Sequence, residues 1–259
     1  MIKFTVITCT YNAAAVLQRT LDSVQGQTYQ EVEHIIVDGA STDDTMAMAM
    51  EYKRRNDDDD ESLHEITVVS EPDRGLYDAM NKGLRMATGN YVLFLNAGDT
   101  FPSAETLENV EATVGEGETL PAVLYGETDI VDTNGNFIRH RRHAAPARLS
   151  WRSFIHGMLV CHQAFYARTD LARQTPYNLE YRYSADVDWC IRIMKLGKQQ
   201  KLPIRNVGMV VANFLEGGMS RQNHRNSLKE RFSVMRRHYG LVPTAMMHLW
   251  FVVRAIIKK

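Results

Sequence analysis

Four short apolar runs, each ending in a cluster of small and polar residues, recur through the first hundred residues and alternate with segments of helical periodicity. They are Ile2 to Thr8, His34 to Val37 ending at Asp38, the segment EITVVS, and Tyr91 to Leu95. Between the first two, Val16, Leu17, Thr20, Leu21 and Val24 share one face of a helix predicted over Ala13 to Gln25. Leu76, Ala79, Met80, Gly83, Leu84 and Ala87 do the same over Gly75 to Ala87. Ser41 or Thr42 caps the helix after the second run, and the acidic stretch Asp57 to Glu61 is its solvated exit. Strand and helix alternating at these spacings predict an α/β fold: a Rossmann-like, doubly wound, mostly parallel sheet with right-handed crossovers and helices on both faces.

Sheets of this kind bind ligands beyond the carboxyl ends of their strands. The polar residues there are Thr8 to Asn12, Asp38 to Asp44, Glu71 to Arg74 and Asn96 to Asp99. The fourth tip, YVLFLNAGDT, is the most pointed, since a buried strand delivers an amide, two small residues and a single carboxylate. No G-x-G-x-x-G follows the first strand and no G-x-x-x-x-G-K-[ST] occurs, which disfavours a dinucleotide dehydrogenase and a P-loop NTPase.

Beyond Thr100 the pattern is less regular. An Asn-Gly signal inside LYGETDIVDTNGNFIRHRR predicts a hairpin, and SADVDWCIRIMKLG predicts a helix with Ser184 as its cap and Gly197 at its end. No internal repeat or low-complexity linker divides the 259 residues, so one domain over 1–240 is expected, followed by a helical tail. That tail, GLVPTAMMHLWFVVRAIIKK, is apolar and aromatic but interrupted by His248 and Arg254, whereas crossing a bilayer takes about 20 apolar residues. Two readings remain: a helix lying in the membrane surface, or one packed on the core or on a second subunit.

The 30 basic and 31 acidic residues nearly cancel, which argues against a nucleic-acid partner. Cys9, Cys161 and Cys190 are too few and scattered for a disulfide framework or a zinc pair, and a reducing, cytoplasmic setting follows. The opening MIKFTVITCTYN offers only about six residues before polar groups, too short for a signal peptide.

The segments TCTYN, VDGASTDDT, EPDRGLYDAMNKG, LFLNAGD and SADVDW, in this order and spacing, resemble bacterial family 2 glycosyltransferases of the GT-A fold. The likeness runs from about Lys3 to Tyr239 and is nearest to enzymes of colanic-acid-type and other exopolysaccharides. It implies a nucleotide-binding half over 1–100 and an acceptor-binding half over 101–240. It further implies inverting transfer of a sugar from a nucleoside diphosphate sugar to a glycan, lipid-linked at the inner face of the cell membrane.

The residue roles it implies are specific. Asp38 accepts the base N–H, and Thr8, Tyr11 and Asn12 surround the base, Tyr11 as a stacking face. Arg74 meets the diphosphate at a helix N-terminus, with Asp78 and Asn81 on the exposed side of that helix. Asp99 ligates a divalent cation, Mn2+ or Mg2+, directly, while Asn96 reaches the ribose or a metal-bound water and Gly98 leaves room for the sugar. Asp186 is the general base, and Asp188 points away from it. His162 is a secondary candidate near the acceptor. In FLEGGMSRQNHR, a loop closing on the donor, Ser220 and Arg221 offer phosphate contacts and His224 approaches the metal. Two rivals stay in view: a sugar nucleotidyltransferase, and a non-catalytic sugar-nucleotide-binding subunit that would dispense with the base.

Overall fold

β1 (Phe4–Thr10) and β2 (Val32–Asp38) are buried at every position, the pattern of interior strands covered on both faces. The computed structural model, which describes residues 1–115, 117–217 and 224–257, shows why. β1 lies between β2 and β4 (Tyr91–Phe94), parallel to both, and β3 (Glu65–Ser70) extends the parallel set beyond β2. α1 (Ala14–Gln25) and α2 (Thr45–Asp57) cover one face, where Leu17, Leu21, Ala49 and Tyr52 enclose Ile36 and Ile66. α3 (Leu76–Met86) covers the other, and Gly83 lies so close to Ile7 that a Cβ there would meet its Cγ2 at 2.6 Å.

The second half completes an eight-stranded sheet in the order β3-β2-β1-β4-β7-β5-β6. β7 (Phe165–Arg168) runs antiparallel to β4 and to β5 (Val123–Val131), so it joins the two halves. The predicted hairpin is present: β5 turns through Asp132 to Asn136 into β6 (Phe137–His140), and β8 (Ile204–Leu215) pairs in parallel with β5. Short helix α4 (Thr106–Ala112) packs on β8 and α5 (Thr169–Gln174) on β4 and β7, and α6 (Ala185–Gln199) buries Trp189 in an aromatic stack with Tyr177, ring centroids 4.8 Å apart.

Three local expectations are corrected. Ser41 does not cap α2; its hydroxyl bonds Asp38, and Asp43 Oδ1 accepts from Thr45 N–H instead. Ser184 precedes α6 without a side-chain cap bond, because its hydroxyl donates to the Ser227 carbonyl. α6 continues past Gly197, whose missing side chain makes room for Ala122 rather than ending the helix.

α7 (His224–Tyr239) leads through Gly240 into α8 (Leu241–Ile257). α8 packs on α7 and on the 3-10 turn Trp151–His156, burying Thr244 and setting His248 against the Phe232 ring at 4.9 Å. Its other side exposes Leu241, Val242, Met246, Leu249, Trp250 and Val252. No described helix is long and apolar enough to cross a membrane.

Candidate active site

The carboxyl ends of β1 to β4 bring most of the predicted residues into one region. Asp38 is fully buried and accepts from Thr10 Oγ1, Ser41 Oγ, Ser41 N–H and Ser70 Oγ. Four donors fill the four acceptor directions of a carboxylate. Burial pushes its pKa up, and these bonds more than offset that, holding it below the usual range. Through these bonds Asp38 ties the β1, β2 and β3 ends together. Thr8 is equally internal, donating to the Leu95 carbonyl and bonded to His34 Nε2.

Tyr11, by contrast, is 67% exposed. Asn12, at φ 47°, accepts from Thr42 N–H and links the β1 and β2 loops. Asp73 lies beside them: its Oδ1 accepts from Gly75 N–H, while Oδ2 has no partner among the described residues and stands over Gly39. A carboxylate oxygen is therefore open next to an exposed ring, supplied by β3's exit and not by β2's. Arg74 is exposed and 3.5 Å from Asp78, whose Oδ2 also accepts the Arg74 N–H.

Asp186 opens α6 and is the centre of the second constellation. The Tyr77 hydroxyl donates to its Oδ1 at 3.2 Å, Val187 N–H donates to the same oxygen, and His162 Nδ1 stands 3.5 Å from Oδ2. Asn96 Nδ2 is 3.2 Å from His162 Nε2, so the β4 tip, the histidine and the carboxylate form a continuous chain. Burial raises the Asp186 pKa, but His162, the Arg231 charge and the Val187 amide outweigh it, and the group stays ionised at neutral pH. Its side chain keeps 14% of its surface open, toward a cavity of about 400 Å³.

Asp99 does not face that opening. It is 3% exposed, with Oδ1 accepting from Leu215 N–H and Oδ2 from Gln163 Nε2, each at 2.9 Å. Burial raises its pKa to about 6, against the opposition of the Leu215 amide and Gln163. Its oxygens tie β8 and the 162–164 turn to the end of β4. Gly98 N–H donates to Thr20 Oγ1 at 2.8 Å, and at φ +97° it has Leu215 against the place of a Cβ. Asn96 Oδ1 is buried without a hydrogen-bond partner among the described residues. Among the described residues no three His, Cys, Asp or Glu side chains group to hold an ion.

The remaining candidates lie elsewhere. Asn81 is buried and exchanges two hydrogen bonds with the Tyr177 backbone, and Asp188 is buried against Arg192 and His238. Ser220 and Arg221 lie outside the described residues; His224 begins α7. Sequence reasoning missed Tyr77, Asp73 and Arg231. Asp73 and Tyr77 were legible as neighbours of Gly75 in EPDRGLYD, whereas nothing in α7's pattern marks Arg231.

Comparison with known proteins agrees with this geometry. The model for "Glycosyl transferase family 2" matches residues 5–181. A PGL/p-HBAD biosynthesis glycosyltransferase of Mycobacterium tuberculosis is 38% identical over 220 residues, 84% of this chain and 78% of that one. The amylovoran biosynthesis glycosyltransferase AmsB of Erwinia amylovora is 28% identical over 222 residues, 81% of this chain and 70% of that one. Among solved structures, S. aureus TarS 1-349 in complex with UDP-GlcNAc shares the fold with a TM-score of 0.69 at 20% identity, covering 91% of this chain. The chain spans 65% of that structure's length. A buried mostly parallel sheet, a polar cleft at its strand ends and a match over most of the length point one way: the chain is a GT-A-fold glycosyltransferase and belongs to glycosyl transferase family 2.

Proposed function

We propose that the chain moves a sugar from a nucleoside diphosphate sugar to an acceptor hydroxyl with inversion at the anomeric carbon, in the assembly of a surface or exported polysaccharide. The observation that carries this reading is Asp186, an ionised carboxylate at a helix start, oriented by Tyr77 and His162 and open to the cavity. The acceptor oxygen attacks the anomeric carbon as its proton passes to Asp186, and the bond from that carbon to the diphosphate oxygen breaks. Displacement from the face opposite the leaving group gives inversion. The nucleoside diphosphate leaves with the electron pair.

Support for the donor comes from the tips of β1 to β3. Tyr11 presents a stacking face, Asp73 Oδ2 an acceptor for a base N–H, and Arg74 a guanidinium at the start of α3. The S. aureus neighbour holds UDP-GlcNAc in the same fold, and the AmsB relative is named for amylovoran biosynthesis; both favour a sugar nucleotide and a polysaccharide product. The exposed apolar row of α8 favours an acceptor carried at a membrane surface, with the chain peripheral on its cytoplasmic side.

Asp186→Asn keeps the shape and removes the base. Transfer should fall by about 10² to 10⁴, with nucleotide binding by calorimetry retained. In His162→Asn the carboxylate loses its main support against burial, so the acidic limb of kcat/KM should move to higher pH. Undiminished turnover by Asp186→Asn would remove the proposal.

A further inference from the structure

The turn that delivers Asp186 is gripped by α7, a helix that follows it by some forty residues. Glu230 of α7 is half-buried, and its carboxylate accepts three successive backbone N–H groups. Arg182 donates to Oε1 at 2.9 Å, and Tyr183 and Ser184 donate to Oε2 at 2.6 and 3.1 Å. No Lys, Arg or His side chain pairs with Glu230 among the described residues, so this carboxylate serves the backbone alone. One turn earlier on the same face of α7, the Ser227 carbonyl accepts from Ser184 Oγ at 3.1 Å, and both serines are buried.

These contacts answer a local deficit, because the first N–H groups of a helix have no partner within it. Ser184 supplies no side-chain cap, and the bond from Asp188 N–H to the Ser184 carbonyl is stretched to 3.5 Å. Asp186 takes the Val187 N–H on its own Oδ1. The start of α6 is thus held from outside, by charge-assisted bonds that are stronger than neutral ones.

Tyr77 and His162 aim the carboxyl group itself, and they meet it only while the Asp186 backbone keeps its place. A misplacement of about 1 Å at a reacting group costs on the order of 10²-fold in rate. Glu230 is close enough for its charge to be felt at Tyr77: burial first, then the Asp186 and Glu230 charges, push that hydroxyl well above its ordinary value and keep it a donor.

We propose that Glu230 is a positioning residue for sugar transfer: acting through the 182–184 backbone, it fixes where α6 begins and so where Asp186 meets the acceptor hydroxyl. The inference rests on the reading of Asp186 as the base and adds the side chain that sets it.

The test uses the full chain and whichever of UDP-glucose, UDP-GlcNAc and GDP-mannose the wild type hydrolyses fastest, with water as acceptor and released nucleoside diphosphate as the readout. Assays run at a temperature where thermal unfolding shows every variant folded. Glu230→Ala should lower kcat about ten- to hundred-fold with the donor KM unchanged. Glu230→Gln, which keeps one acceptor oxygen for the Tyr183 and Ser184 amides, should recover a good part of that loss. His238→Ala loosens α7 one turn further along α6 and spares the 182–184 turn, so it should keep its kcat. In an Asp186→Asn background Glu230→Ala should cost nothing further, because the two residues act as one unit. Full kcat in Glu230→Ala, an equal loss in His238→Ala, or the same loss from Glu230→Ala with and without Asp186→Asn overturns the proposal and leaves the base reading standing. Hydrolysis by Asp186→Asn as fast as by wild type overturns the base reading, and the proposal with it.

Discussion

Asp99 has the residue type and the strand-end position of a metal ligand, and the packing around it gives it another task. Its oxygens are held by residues 64 and 116 positions away, Gln163 and Leu215, so no local pattern could reveal where they point. Asp186 was legible, because a carboxylate in the first turn of a helix has one side committed to the helix and the other free. The pH behaviour of Asp99 follows from burial, which lifts its pKa to about 6 against the partial opposition of Leu215 and Gln163. A raised folded value means that the folded chain holds this proton more tightly than the unfolded one. Its contribution to stability is full below the unfolded value near ~4 and is lost as pH rises through about 6. Asp99→Asn, which preserves shape and lets Gln163 turn its amide, should flatten the urea-unfolding stability between those limits. Cation affinity in the presence of nucleotide should not change, and a loss of it would restore Asp99 as a ligand.

At the scale of elements, α6 serves two neighbours at once. Asp186 faces the cavity, whereas Asp188, 2% exposed, accepts from Arg192 Nε at 2.7 Å and from His238 Nε2 at 2.8 Å. Lys195 Nζ stands 3.0 Å from His238 Nδ1, so the ring is bracketed between Lys195 and Asp188. Burial raises the Asp188 pKa, but His238 and Arg192 outweigh it and hold the group low. Stability from this contact is therefore present above the unfolded value and lost as pH falls through the depressed one. His238→Ala strips a buried carboxylate of one donor and should cost about 1 to 3 kcal/mol in denaturant unfolding. The loss should fall on the docking of α7 and leave nucleotide affinity intact, as calorimetry would show. The helix and its apolar face were readable from periodicity; the partner of each carboxylate was not, since α7 arrives some fifty residues later.

Across the whole molecule, α8 decides how the enzyme meets its surroundings. It is packed on α7 through Thr244 and His248, yet leaves Leu249, Trp250, Val252 and Val253 exposed. One side of the helix is packed on the core, and the exposed side is the one the membrane-surface reading needs. Vesicles containing anionic lipid should shift Trp250 emission to the blue, and Leu249→Ser with Val253→Ser should abolish co-sedimentation while unfolding temperature holds. No shift on any vesicle would leave this face to a protein partner. What the sequence determined by itself was the alternation of strand and helix, the face of each helix and the strand ends where ligands meet the sheet, because these follow from local periodicity and chain direction. Only the tertiary structure decided which carboxylates are open: Asp38 and Asp99 have both oxygens engaged by donors from other elements, Asp73 Oδ2 has no partner among the described residues, Asp186 is held by Tyr77 and Val187 yet borders the cavity, and three arginines from separate elements converge beside it. Hydrogen-bond saturation and charge convergence are sums over residues far apart in sequence, and they exist only once the chain has closed.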